Sequence, residues 1–245
     1  AVGRRWRTAT HAVRTVVTTI DLILPALDEA LALPALLARV PAGVRAIVVD
    51  NGSTDDTARV AAGLGATVVP EPIRGFGAAC AAGLAASDAD IVVFCDADGS
   101  IDLGDIWLVI DPVIRGDADL VVGARVPTAR GAWPAHARLA NRYLARRIRH
   151  RFGLDVSDLG PLRAMRRTMV IDLAIEDRRF GWPLEMIVRA GHAGWRIQEA
   201  PVPYRPRVGR SKVTGTIRGT ARAVRDMGAI LTKLDARAVG GPGQR

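Results

Sequence analysis

Aromatic residues make up only 4% of the sequence, cysteines number two, and Asp and Glu (25) fall short of Lys and Arg (34), leaving a formal charge of +9 over 245 residues. Each shortage excludes something. So few aromatics, without interleaving among the basic clusters, make no stacking platform for single-stranded nucleic acid, and nucleic acid is not expected as a partner. Cys80 and Cys95, both in small or apolar surroundings, give neither a disulfide framework nor a zinc site and are expected as buried, reduced thiols. The four histidines, His11, His136, His150 and His192, have no spacing that suggests a metal site. No apolar run reaches the roughly 18 residues of a membrane span, and the first twenty residues lack the continuous apolar centre of a secretory signal. The expected location is therefore the cytoplasm. The excess of cations calls for an acidic partner, a phosphorylated small molecule or an anionic lipid surface.

What is present suits one large core: 49% of the residues are hydrophobic. The expected organisation is a basic arm over 1–18, a single domain over 19–234 and a tail over 235–245. Short β-rich runs alternate with helical ones: "TIDLILP", a helix over 29–39, "VRAIVVD", a helix over 54–64, "ATVVP", a helix over 75–86, and "ADIVVFCD". That is a βαβαβαβ order, an α/β fold with a mostly parallel sheet covered by helices on both faces. The second half adds the strand "ADLVVGAR" (118–125), a basic helix over 134–153, a loop over 156–165, helices starting near Thr168 and after Pro183, and the strand "WRIQEAPV". A basic amphipathic helix closes the pattern, setting Ile217, Val224, Ile230, Leu231 and Leu234 against Arg218, Arg222, Arg225 and Lys233. Such a helix packs on its own domain or lies on an anionic leaflet.

In open α/β sheets ligands bind beyond the carboxyl ends of the strands. Three strand ends carry polar clusters here: "PALDE" (25–29), "DNGSTDDT" (50–57) and "CDADGS" (95–100). In an extended backbone Asp96 and Asp98 share a face, and two carboxylates so close repel unless a cation lies between them. Magnesium or manganese takes oxygen ligands, usually one or two carboxylates plus phosphate and water oxygens. Ser100 adds an oxygen or is simply a turn residue. Ser53 or Thr54 is expected to cap the following helix, while Asp50 is free to bind a base edge or a ribose hydroxyl. The glycines and amides of "RGFGAACAAG" (74–83) suit an anion at a helix start, or merely close helix packing.

In order and spacing, "LILPALDE", "VVDNGSTDDT", "RGFGAACAAGLA", "FCDADGS" and "LVVGAR" resemble the GT-A-fold family 2 glycosyltransferases. "DLGPLRAM", "GWPLEM" and "VGRSK" are similar to the dolichyl- or polyprenyl-phosphate mannosyl- and glucosyltransferase branch. Over residues 19–215 the resemblance implies that Pro25, Leu27, Glu29 and Asp50 line the nucleoside pocket of a UDP- or GDP-sugar donor. It further implies that Asp96, Asp98 and Ser100 hold Mg2+ or Mn2+ on the donor's diphosphate, with Asp96 touching the nucleotide as well. Asp28 stands where that family often has Asn, and Asn51 where a second Asp is common. Arg125, Arg138, Arg163 and Lys212 fall in or near motifs that hold an acceptor phosphate in similar enzymes. The remaining arginines of the basic helix, Arg142, Arg146, Arg147, Arg149 and Arg151, read as a solvated face.

The implied reaction is inverting transfer of a hexose to a polyprenyl or dolichyl phosphate at the cytoplasmic face of a membrane, on an anionic surface. A lipid monophosphate is already largely dianionic at neutral pH and needs no base. Asp98 and Glu185 are the candidate catalytic carboxylates. Glu185 is a base for a hydroxyl acceptor, a ligand of the donor sugar, or a helix residue bound to a neighbour. The alternatives are a transferase with a soluble acceptor and a non-catalytic nucleotide-binding module recruited to membranes. Two retained, mutually repelling aspartates argue against the latter.

Overall fold

The computed structural model describes residues 18–209 and 217–239. In chain order the elements are β1 (Ile20–Ala26), α1 (Leu33–Leu37), β2 (Val44–Asp50), α2 (Thr57–Gly63), β3 (Thr67–Pro70), α3 (Phe76–Ala86), β4 (Ile91–Cys95), α4 (Trp107–Arg115), β5 (Leu120–Pro127), α5 (Ala135–Phe152), β6 (Leu162–Arg166), α6 (Arg167–Asp172), α7 (Trp182–His192), β7 (Ile197–Tyr204) and α8 (Ile217–Val239). The strands form one seven-stranded sheet in the order β3-β2-β1-β4-β6-β5-β7. β6 alone runs against its neighbours, pairing antiparallel with β4 and β5, while β7 pairs parallel with β5. All the other strands therefore end on one rim.

The sheet is apolar on both faces, as its continuous Val/Ile/Leu runs require. On one face Ile23, Val49, Phe94 and Met165 pack under α3, α5, α7 and α8. Leu22, Leu24, Val48 and Val93 on the other face meet α1, α2 and α4. Trp182, fully buried on α7, sets its ring edge-on to Phe94 of β4, with centroids 4.7 Å apart. This anchors α7 directly beneath the end of β4. Gly83 lets α3 approach closely, because a Cβ there would lie 2.3 Å from Ile23 Cγ2.

The sequence reading placed β1–β5, α3, α5 and β7 within a few residues. It misread residues 162–165, the end of its loop over 156–165, which belong to β6. Arg163 and Arg166 interrupt the apolar pattern of that strand, yet it lies inside the sheet, paired on both sides. Helix α4, unannounced in the sequence reading, follows a short 3-10 turn over Leu103–Asp105. Ser53 and Thr54 do not cap α2, whose first amide, that of Thr57, donates instead to Asp55 (3.0 Å). Helix α8 continues to Val239, and Asp235 pairs with Arg151 at 2.6 Å, so no tail starts at 235. Its larger described apolar side chains are spent on the domain: Leu231 and Leu234 are buried, as is Ala223, and Val224, Met227 and Ile230 pack against the core. Both cysteines are buried and free, with burial pushing their thiols well up from the ordinary value. Among the described residues no helix is long and apolar enough to cross a membrane.

Candidate active site

The rim opens into a cavity of about 490 Å3 whose wall includes the ends of β1, β4 and β5, the start of α3 and faces of α5 and α8. Pro25 of β1, and Leu27 and Glu29 just beyond the strand, line the wall. The turn after β1 is built for an Asx residue. Asp28 has a left-handed backbone (φ 51°), a conformation that Asn and Asp tolerate best among side-chain-bearing residues. Its Oδ1 accepts from the Thr54 amide (2.7 Å), and its own amide donates to Ser53 Oγ (2.9 Å), tying the first loop to the second. Asp here in place of Asn keeps both the backbone and the acceptor.

Asp50 does not form part of the cavity wall. Its Oδ1 accepts from the Ser53 amide at 2.9 Å, which closes the local turn. The neighbouring Asn51 lines the cavity instead and uses its whole amide: Nδ2 donates to the carbonyls of Glu71 (3.0 Å) and Ile73 (2.8 Å), and Oδ1 accepts from the Gly75 amide (2.8 Å). A second Asp at 51 would lose both donated bonds.

The start of α3 is not open to an anion. The amides of Gly77 and Ala78 donate to the carbonyls of Arg179 and Arg178, each at 2.9 Å. A Cβ on Gly75 would lie 2.1 Å from the Arg178 carbonyl oxygen, so glycine permits this close contact. Arg74, Gly75, Phe76 and Arg179 line the cavity here.

Asp96 and Asp98 both line the cavity at the end of β4. Burial, and then the charge of Asp98, push the Asp96 carboxyl up to about 7, against the pull of Arg163, Arg125 and Arg207. Asp98 Oδ1 accepts from the Ser100 amide at 2.9 Å, and its Oδ2 lies 3.4 Å from Arg207 Nη1. The other terminal nitrogen of Arg207 donates to Glu29 Oε1 at 3.0 Å, so one guanidinium joins Glu29 to the acidic pair. Ser100 is fully buried, its hydroxyl near the Tyr204 phenol without a well-formed hydrogen bond. Among the described residues no cluster of three His, Cys, Asp or Glu could cage a metal by itself. Ser100 does not line the cavity; the two carboxylates that do, with Asp96 held up by burial and then by the charge of Asp98, fit a hard cation that completes its shell from a bound diphosphate.

The cationic side divides. Arg125, on β5, lines the cavity but is committed to Asp158: Nε donates to Oδ2 at 2.9 Å, Nη2 to Oδ1 at 2.5 Å, and the backbone amide to Oδ2 at 2.8 Å. Its guanidinium lies 3.9 Å from the Trp133 ring centroid. Burial works against the Asp158 charge, yet Arg125 holds that carboxyl below the usual range. Arg163, 3% exposed, gives one terminal nitrogen to the carbonyls of Leu159 and Gly160, leaving Nε and Nη1 without partners. Burial lowers its pKa, and the charge of Asp96 opposes that shift. Arg138 lies outside this cavity, in an adjoining groove, and Lys212 lies outside the described residues.

Glu185 does not line the cavity. One carboxylate oxygen accepts from the Asp177 amide (2.7 Å); the other accepts from the Glu176 amide (3.2 Å) and Arg189 Nε (2.6 Å). Of its three sequence readings, the residue bound to neighbours is the one found. Sequence reasoning missed Arg207, Tyr204, Arg179 and Trp133. The strand-end rule applied to β7, which runs parallel to β5, would have found the first two.

A parallel sheet with one reversed strand and an Asp-Ala-Asp at the rim is the GT-A architecture, and the comparisons agree. Residues 21–174 match the family model described as glycosyl transferase family 2. An uncharacterized glycosyltransferase of Mycobacterium tuberculosis is 48% identical over 87% of this chain and 98% of its own length. A dolichyl-phosphate hexose transferase of Haloferax volcanii is 29% identical over 82% of this chain and 90% of its own. Among solved structures, glucosyl-3-phosphoglycerate synthase from Mycobacterium tuberculosis, in complex with Mn2+, UDP-glucose and phosphoglyceric acid, superposes with a TM-score of 0.71 at 26% identity, covering 89% of this chain and 80% of that one. The chain belongs to glycosyl transferase family 2.

Proposed function

We propose that this glycosyltransferase moves a hexose from a UDP- or GDP-sugar to a polyprenyl or dolichyl phosphate, with inversion, as a peripheral protein on the cytoplasmic face of a membrane. The observation that carries the reading is the content of the cavity wall. Its described carboxylates are Glu29, held by Arg207, and the Asp96/Asp98 pair; among the described residues no histidine lines it, and Glu185 is turned into a loop. A hydroxyl acceptor needs a positioned base. A phosphate monoester does not, because at neutral pH it already carries its nucleophilic charge.

Pro25, Leu27 and Glu29 would flank the nucleoside, and Asp96 and Asp98 would hold Mg2+ or Mn2+. When bound, the ion neutralises charge on the departing nucleoside diphosphate. Arg74 and Arg179 add positive charge on the α3 side of the cavity. Arg163 offers two unpartnered donors to the acceptor phosphate, while Arg125, fixed by Asp158, keeps its charge in place. A phosphate oxygen attacks the anomeric carbon, the bond to the diphosphate breaks, and its electron pair leaves with the nucleotide. No proton changes hands. Beyond Arg163 the wall turns apolar through Ala137, Ala140, Leu144, Val224 and Met227, which suits the first isoprene units of a lipid.

A soluble phosphorylated acceptor is the second reading, favoured by the likeness to glucosyl-3-phosphoglycerate synthase. The two readings separate when labelled UDP- and GDP-sugars are offered with manganese and either polyprenyl phosphate or phosphoglycerate. The first predicts label in the organic phase. Label only in the phosphoglycerate product would overturn it.

A further inference from the structure

Helix α5 carries six arginines and no acid over eighteen residues. Its inner side, Asn141, Leu144, Ala145 and Ile148, is buried, and α5 packs against α7 and α8. The outer side holds Arg138, Arg142 and Arg146, all exposed and, among the described residues, without an ion pair or hydrogen bond to an acid. Arg149 alone in that stripe is paired, to Asp155 at 2.5 Å. These four arginines line a groove of about 320 Å3 that shares Trp133 and Asn141 with the main cavity. Between the arginines stand two large exposed side chains, Leu139 (62% exposed) and Tyr143 (48%).

We propose that this outer face of α5 is the surface by which the protein docks on an anionic bilayer, placing the Trp133 mouth of the cavity against the headgroups. The inference rests on the lipid-phosphate reading for its purpose, and on α5 alone for its chemistry. Unpaired arginines at a turn's spacing meet lipid phosphates, while Leu139 and Tyr143 reach the acyl boundary, the pattern of a helix lying in an interface. Charge complementarity selects this occupant. A second copy would bring the same uncompensated arginines face to face, and a polynucleotide gives Leu139 nothing to bury against. Helix α8, the sequence's own candidate for this role, has its larger described apolar side chains, Val224, Met227, Ile230, Leu231 and Leu234, packed on the core.

The test is flotation of the full chain with vesicles of phosphatidylcholine alone, and of phosphatidylcholine with one third phosphatidylglycerol, at low and high salt. Binding is expected only to the anionic vesicles and is expected to weaken with salt. Arg142→Glu with Arg146→Glu should weaken it by roughly thirtyfold or more, at the usual contribution of a basic residue near such a surface. Arg142→Lys with Arg146→Lys should restore it, and Leu139→Ser with Tyr143→Ser should weaken it while leaving the salt dependence. Equal binding to both vesicles, wild-type binding by the charge-reversed protein, or displacement of vesicles by RNA at low concentration would overturn the proposal. A short-chain, water-soluble prenyl phosphate tells the two ideas apart. The charge-reversed variant should glycosylate it as well as the wild type does. If even the wild type cannot, while vesicle binding still depends on Arg142 and Arg146, the acceptor reading fails and the docking face stands.

Discussion

Asp96 joins the site's electrostatics to the stability of the protein. In the unfolded chain its carboxyl ionises near 3.8, and in the fold near 7, because burial and Asp98 oppose the charge. Between those values the folded state holds the extra proton, so this group makes stability fall as pH rises through that window. In metal-free protein, Asp96→Asn should therefore melt above the wild type, with a gap that opens above pH about 4 and levels off above about 7. Thermal melts across that range check it; a constant gap, or none, would show that the carboxyl ionises normally. The same substitution should nearly abolish transfer, the tension expected where function is built on an unfavourable group. Asp96 and Asp98 were legible because a period of two puts both on one face. Arg207 was not, since no periodicity tells that a guanidinium after β7 will lie between Glu29 and Asp98.

Among the elements, the loop over 175–181 shows how a buried carboxylate serves structure. Glu185 holds the amides of 176 and 177, and the carbonyls of Arg178 and Arg179 in turn accept from the first turn of α3. Arg179 and Phe180 of that loop line the cavity. Glu185→Gln should therefore cost about 1–3 kcal/mol of stability and raise KM for the donor several-fold, with kcat changed only a few-fold. A fall of about a hundredfold or more in kcat at unchanged KM would instead mark a general base. "GWPLEM" reveals a helix start but not which way its glutamate turns, because that depends on loop amides at Glu176 and Asp177, earlier in the chain. β6 was hidden for a related reason. A strand with neighbours on both sides reads as apolar, whereas this one puts a buried arginine, Arg163, on the cavity side of the sheet.

At the scale of the whole molecule, the parallel order brings the ends of β1, β2, β4, β5 and β7 to one rim, and α5, α7 and α8 close the far side of the cavity. The rim was foreseeable from strand order alone; the closure was not, since an amphipathic helix of this composition packs or lies on a surface with the same sequence pattern. Leu231, fully buried, decides between those states. Leu231→Ala should lower unfolding free energy by about 2–5 kcal/mol in urea titrations, as for other core leucines. A cost below about 0.5 kcal/mol, typical of a surface site, would mean that α8 is not part of the core.

The central claim is that the paired carboxylates at the end of β4 hold the divalent ion on which sugar transfer depends. Its most direct measurement is the rate of transfer from labelled nucleotide sugar by wild-type protein and by the Asp96→Ala, Asp98→Ala double variant, each with manganese and with a chelator. The account predicts rapid transfer only for the wild type with manganese, and a loss of about a hundredfold or more in the other three conditions. Transfer at the wild-type rate by the double variant, or by chelated wild type, would contradict it.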